Sequence, residues 1–229
     1  MKIAILTPTR GRPYGLLRLY ESLAATISGK HQFIFVYYID FDDEKLAEYE
    51  QLIFPVHNNI EIICYQGPRM IIAQTFNYMA GQLKDDDIYF MNGADDMVFD
   101  TMAWDDILST RIVNHAYGLY YFDDGIQHEG MATFAIVSQH WIKKIGYFFP
   151  EHIVHNFIDT YIHDVAKRAG TLVYIPEVKL IHHHFTLNSA LLDKTYQDAE
   201  QYWGNDREAF ESSVEKRIQE AELIKSLIQ

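Results

Sequence analysis

Before Asp96, four strand-like runs alternate with stretches of helical spacing, and each run stops at a polar cluster. Ile3 to Leu6 is closed by Thr7-Pro8-Thr9-Arg10-Gly11-Arg12-Pro13, and Leu16, Leu19, Tyr20 and Leu23 then recur at the spacing of one helix face. Phe33 to Ile39 ends at Asp40-Phe41-Asp42-Asp43 and is followed by a helix-like stretch around Glu44 to Leu52. Ile60 to Tyr65 stops at Gly67-Pro68, and Ile72, Phe76, Met79 and Leu83 fit one helix face. Ile88 to Met91 leads into Asn92-Gly93-Ala94-Asp95-Asp96. This alternation predicts an α/β fold with a mostly parallel sheet. Right-handed crossovers then gather the loops that follow the strands at one edge, where ligands of open α/β sheets bind.

Beyond Asp96 the pattern is mixed. Tyr117 to Phe122 and Ala132 to Val137 read as strands, Trp141 to Ile145 as a short helix, and Phe157 to Ala169 as a helix closed by Gly170. Leu172 to Ile175 and Val178 to Ile181 read as two strands broken by Pro176. From Asn205 onward the spacing predicts one amphipathic helix, capped by Asn205 or Asp206, with Phe210, Val214, Ile218, Ala221 and Ile224 or Ile228 on one face. The division expected is a single domain over 1–188 and a helical extension over 189–229 that packs on the domain or on a partner.

Composition narrows the function classes. With 19 basic and 32 acidic residues the formal net charge is −13, which disfavours general binding to DNA or anionic membrane. The single cysteine, Cys64, excludes an intrachain disulfide and a cysteine-rich zinc module, and its apolar run predicts a buried, inert thiol. The apolar run at the start is too short for a secretory signal, and no stretch is long enough to span a bilayer, so a soluble cytoplasmic protein is expected. No GxxxxGK[ST] loop, GxGxxG turn or GxSxG elbow is present. Trp104, Tyr120, Tyr121, Trp141, Tyr147 and Phe148 are candidates for stacking on a sugar or a base.

Several polar groups have chemistry to offer at the loop edge. Asp95 and Asp96 can bind a divalent cation that also holds phosphates, or can form an ordinary acidic turn. In His182-His183-His184, alternation puts His182 and His184 on one face, where two imidazoles can reach one metal; solvated histidines at a strand end are the plain alternative. Arg10, Arg12 and Arg69 can pair with a pyrophosphate. Asp40 can accept from a base N–H or a ribose hydroxyl, and it can equally start a turn. His155 and Asp159 share a helix face, where a carboxylate can take a proton from a hydroxyl; an ordinary i,i+4 surface pair is the plain alternative.

The order of these features resembles the GT-A nucleotide-sugar glycosyltransferases, and the family-2-like group in particular. The resemblance is carried by the TPTRGRP loop, the strand ending in Asp40, the Arg69-x-x-x-Ala73-x-x-x-Asn77 stretch and Ala94-Asp95-Asp96. Asp159, eleven residues before Gly170, Tyr174-Ile175-Pro176 and His182 complete it. It covers roughly residues 2 to 185. It implies that Thr7, Pro8 and Arg10 line the nucleotide pocket, with Asp40 near the base, usually uracil. Arg69 and Asn77 would face the ribose and diphosphate, and Asp95 and Asp96 would replace the DxD motif. Asp96 would hold a divalent metal, Mn2+ in preference to Mg2+, with His182 or His184, and Asp159 would be the general base. The sequence departs from the pattern at the first Asp of the motif and at Ile158, where Glu usually precedes the base.

The expected function is transfer of a hexose from a nucleoside diphosphate sugar, in the first place a UDP-sugar, to a hydroxyl of a glycan, a small molecule or a modified nucleobase such as a hydroxymethylated DNA base. Oligomerisation through the C-terminal helix is compatible with this. The competing readings are a nucleotidyltransferase, which wants a Gly-rich Lys-bearing first loop, and an inactive nucleotide- or glycan-binding module of the same fold.

Overall fold

The computed structural model describes residues 1–112, 116–183 and 194–228. Its strands are β1 (Lys2–Thr9), β2 (Gln32–Asp40), β3 (Ile60–Gly67), β4 (Ile88–Asn92), β5 (Met97–Phe99), β6 (Leu119–Asp123), β7 (Ala135–Ser138) and β8 (Leu172–His182). The helices are α1 (Pro13–Thr26), α2 (Leu46–Tyr49), α3 (Ile72–Gln82), α4 (Trp104–Arg111), α5 (Gln139–Ile145), α6 (Ile158–Ala169), α7 (Lys194–Glu200), α8 (Trp203–Ser212) and α9 (Val214–Lys225).

The strands form one mixed sheet in the order β3-β2-β1-β4-β7-β6-β8-β5. β1 to β4 run parallel, as the alternating pattern requires. β7 is reversed against both β4 and β6, and β8 runs parallel to β6. β6 and β8 therefore point the same way as β1 to β4. The loops after all six strands emerge at a single edge.

Both faces of the sheet are covered, and each carries its own apolar cluster. One centres on α3, α5 and α6 with Trp141, Phe148 and Phe149, the other on α1 and α4 with Tyr20, Phe35 and Trp104. The aromatics expected to stack on a ligand serve these cores instead. Trp104, Trp141, Tyr120, Tyr121 and Phe148 are buried, and Tyr147 packs against the first cluster and bonds Glu220 of α9.

Three other expectations change. β8 does not break at Pro176. It continues through a bulge, its register against β6 slipping between Phe122/Ile175 and Asp123/Lys179, and a bulge tolerates a residue without an N–H. The C-terminal stretch is two helices rather than one, divided at Ser213. Ala221 and Ile224 of α9 are buried, while Ile218 and Ile228 face solvent. Cys64 is exposed on the edge strand β3, because period-2 alternation turns its side chain outward there. Among the described residues, no helix is long and apolar enough to cross a membrane.

Candidate active site

The site forms where the loops after β1, β2, β4, β6 and β8 meet. The β4 loop is drawn in by its backbone. Gly93 N–H donates to the Leu6 carbonyl at 2.7 Å, and a Cβ at Gly93 would lie 2.8 Å from Thr7 Oγ1 and 2.9 Å from Ile5 Cγ2. Only glycine allows the chain to cross β1 so closely. The buried Asn92 side chain accepts from Ala135 N–H at 2.6 Å and donates to Thr133 C=O at 2.9 Å, tying the β4 end to the segment before β7.

Asp95 is buried, and each of its oxygens accepts one hydrogen bond. Its Oδ2 accepts from Thr9 Oγ1 at 2.8 Å and its Oδ1 from Arg12 at 3.0 Å. Behind Thr9 stands Tyr49, 2.8 Å away, whose hydroxyl also accepts the Arg12 N–H at 2.9 Å. The Arg12 N–H, the two hydroxyls and the carboxylate thus form one polarised chain of hydrogen bonds. Burial is the main influence on Asp95 and pushes its carboxyl up to about 6, with Arg12 opposing and Asp96 adding to the rise.

Asp96 lies between two cationic groups. Arg12 is 3.6 Å from its Oδ2, and His182 Nε2 is 3.6 Å from its Oδ1. The β5–β8 pairing produces this proximity, because Met97 stands opposite His182 and the Asp96 carbonyl accepts the His183 N–H at 2.8 Å. The His182 ring packs edge-on to Phe134 at 5.0 Å. Burial opposes its charge, yet Asp124 and Asp96 outweigh burial and raise its pKa to about 9. Asp124 Oδ2 is 3.8 Å from His182 Nδ1 on the side away from Asp96. Burial would lift Asp124 too, but His182 and the N–H groups of Ile126 and Gln127 hold its carboxyl far below the ordinary range. His184, the other expected ligand, lies outside the described residues.

Asp159 sits in the first turn of α6, half-buried, with Oδ1 accepting from Thr160 N–H at 2.7 Å and Thr160 Oγ1 at 3.2 Å. Burial raises its pKa against those hydrogen bonds and the nearby charge of His182. A carboxylate lifted in this way is suited to take a proton.

The expected nucleotide pocket is less uniform. Thr7 is buried and Pro8 half-buried at the end of β1. Arg10 pairs with Asp40 at 2.7 Å and with Asp42 at 2.6 Å. Burial raises the Asp40 pKa despite Arg10. Arg69 reaches Asp198 of α7 at 3.0 Å. The Asn77 carboxamide accepts from Phe148 N–H and Phe149 N–H and donates to Phe149 C=O and Glu151, so it braces the 148–151 loop.

A second acidic grouping lies elsewhere. His31, Asp105 and Asp106 bring one donor atom each within 4.8 Å of the others. His31 precedes β2 and so stands at the opposite edge of the sheet. Asp106 is paired there with Lys30, and Asp105 accepts from Ser28 N–H and Oγ.

Thr9, Tyr49 and Asp124 are site residues that the sequence did not mark. Arg12, a pyrophosphate candidate by its charge, stands beside the motif and pairs with Asp95. Asp124 could have been found as a carboxylate directly after a strand, the same signal that marks Asp40 and Asp95.

No family model matches the chain, and no curated protein is similar to it in sequence. Solved structures do share its fold. Over 80% of this chain and 37% of the other, it superposes on S. aureus TarS with a TM-score of 0.58 at 12% identity. A mannosyltransferase, PcManGT from Pyrobaculum calidifontis, in complex with GDP-Man and Mn2+, gives 0.60 at 9% identity over 79% of this chain and 56% of that one. GalNAc-T7 with UDP, GalNAc and Mn2+ gives 0.61 at 13% identity over 80% and 44%. The chain spans less than two thirds of the length of each. These neighbours are GT-A glycosyltransferases, and the fold of this chain is of their kind.

Proposed function

We propose that this chain is a metal-dependent glycosyltransferase that moves a hexose from a nucleoside diphosphate sugar to an acceptor hydroxyl. The observation that carries the reading is the meeting of Asp96 and His182, with 3.6 Å between Oδ1 and Nε2, at the strand-end edge that also holds Asp95 and Asp159. Two ligands each about 2.1 Å from one cation stand roughly 3.0–3.5 Å apart, so this pair fits a shared ion after little movement. A carboxylate with an imidazole suits Mn2+ better than Mg2+, which prefers oxygen ligands alone. The complexes of PcManGT and GalNAc-T7 with Mn2+ are consistent with that choice.

Asp96 and His182 would hold the cation, with His184 as the third candidate. When bound, the ion would stabilise negative charge on the departing diphosphate. Asp95, kept rigid by Thr9 and Arg12, would accept from the donor ribose. Arg12 adds a fixed positive charge beside the diphosphate. Thr7, Pro8, Arg10 and Asp40 would line the base and ribose, with uracil the expected base, and Arg69 would add positive charge on the same side. Asn77 would contribute through the loop it braces. Asp159 would take the proton of the acceptor hydroxyl as its oxygen bonds to the anomeric carbon, and the bonding pair to the phosphate oxygen leaves with the nucleoside diphosphate. Such a direct displacement inverts the anomeric centre, and NMR of the product would show a retained centre if the mechanism is different.

The acceptor class stays within glycans, small molecules and modified nucleobases, a hydroxymethylated DNA base among them. The net charge of −13 weighs against long stretches of nucleic acid.

Thermal-shift titration with UDP, GDP, CDP and ADP, each with and without Mn2+, tests the reading. One nucleotide should stabilise the chain by several degrees, and only with metal. Asp96→Ala should abolish that response with the fold intact. Absence of any response from the wild-type chain would leave a binding module as the better description.

A further inference from the structure

Asp124 has a geometry that simple burial does not explain. One of its oxygens is fully used inside its own loop. Oδ1 accepts from the N–H groups of Ile126 at 3.0 Å, Gln127 at 2.7 Å and His128 at 3.2 Å. Three backbone donors on one oxygen fix the orientation of the carboxylate, and the other oxygen then faces inward toward His182 Nδ1 at 3.8 Å. The far ring nitrogen, Nε2, points at Asp96 Oδ1. The imidazole thus stands in line between a carboxylate locked by its loop and a carboxylate on the β4 loop.

We propose that Asp124 is a positioning residue that holds the His182 proton on Nδ1, so that Nε2 presents its lone pair to the cation Asp96 faces. The inference rests on the metal-dependent reading above. Its physical basis is that an imidazole ligates through one nitrogen only while the other carries a proton, and a carboxylate acceptor fixes which nitrogen that is. The 3.8 Å separation is longer than a hydrogen bond, and a slight rotation of the ring toward Asp124 would close it as Nε2 engages the ion.

Asp124→Asn separates this role from packing. The carboxamide oxygen can still accept the three loop N–H groups. Its NH2 then faces Nδ1 and donates, which favours the tautomer with the proton on Nε2 and removes the lone pair from the metal side. Mn2+ binding to the full chain, followed by the EPR signal of the free ion, should weaken roughly 10–100-fold in Asp124→Asn. Its circular dichroism melt should stay close to wild type. Equal Mn2+ affinity in the two proteins overturns the proposal.

A second measurement keeps it distinguishable from the metal reading. Ring 15N shifts of His182 in the metal-free protein, recorded above its pKa of about 9 where the ring is neutral, report whether Nδ1 carries the proton. The wild-type ring should carry it there and the Asp124→Asn ring should not. If the wild-type chain binds no Mn2+, the metal reading fails, and these shifts alone decide whether Asp124 orients the ring. A wild-type Nδ1 without a proton overturns the proposal even if the variant does not fold.

Discussion

Burial lifts the Asp159 carboxyl above its ordinary range, and this has a kinetic consequence. A general base works only when ionised, so turnover should rise with pH through its pKa. Its acid limb should lie above the value of about 4 expected of an exposed aspartate. Asp159→Asn should remove that limb and cut turnover by roughly 10²-fold or more while leaving nucleotide-induced stabilisation unchanged. Normal turnover in the variant would take Asp159 out of the mechanism. Gly15 in α1 offers a second test. At an open helix position, alanine in place of glycine gains up to about 1 kcal/mol. Here the new Cβ would sit 2.4 Å from the Asp95 carbonyl oxygen, so the clash wins. Gly15→Ala should lose roughly 1–3 kcal/mol of stability and weaken nucleotide–Mn2+ binding; a raised melting temperature would mean that α1 does not bear on the motif. At this scale the sequence was informative where a carboxylate follows an apolar strand, as at Asp40, Asp95 and Asp96. It was silent on the Thr9–Tyr49 pair, whose partners are 40 residues apart and meet only through the fold.

Element by element, the parallel half of the sheet was legible because each strand is a short apolar run with its own stop signal. The antiparallel half was not. β5 is three residues long, and β8 reads as broken because Pro176 sits in a bulge that only pairing with β6 reveals. The placement of α8 shows the same limit. Asp206 resembles a helix cap in sequence, yet its buried carboxylate accepts the N–H groups of Val154 at 2.7 Å, His155 at 3.0 Å and Asn156 at 2.8 Å. It therefore pins the loop that leads into α6 and Asp159. Asp206→Ala would leave three N–H groups without that acceptor, at a cost of about 2–4 kcal/mol by chemical denaturation. If the loop positions Asp159, turnover should fall as well, at a temperature where the variant is still folded. A loss of stability with unchanged turnover would separate the loop from catalysis.

For the molecule as a whole, the question is whether the C-terminal helices are an appendage or part of the fold. Every residue assigned to the donor site lies at or before His184, so a donor-binding domain without α9 is conceivable on sequence grounds. The packing argues otherwise. Ile224 and Ala221 enter the same apolar cluster as Ile162, Val165 and Ala166 of α6. Arg217, 4% exposed, donates to Asp164 of α6 at 2.7 Å and to Ser213 Oγ at 2.9 Å, with its guanidinium 3.9 Å from the Phe210 ring centre. Burying one isoleucine contributes about 1.5–3 kcal/mol, and a hydrogen bond between charged groups such as Arg217 and Asp164 about 1.5–3 kcal/mol. Against a total stability of about 5–15 kcal/mol, these two losses alone take a large fraction. Truncation after Ser212 should therefore lower the melting temperature by on the order of 10 °C or more. Because α6 also carries Asp159, the truncated chain should lose turnover more than it loses nucleotide-dependent stabilisation, measured where it is still folded. An unchanged melting temperature would instead make α9 an appendage, and its buried face would then have to be explained without any contribution to the stability of α6.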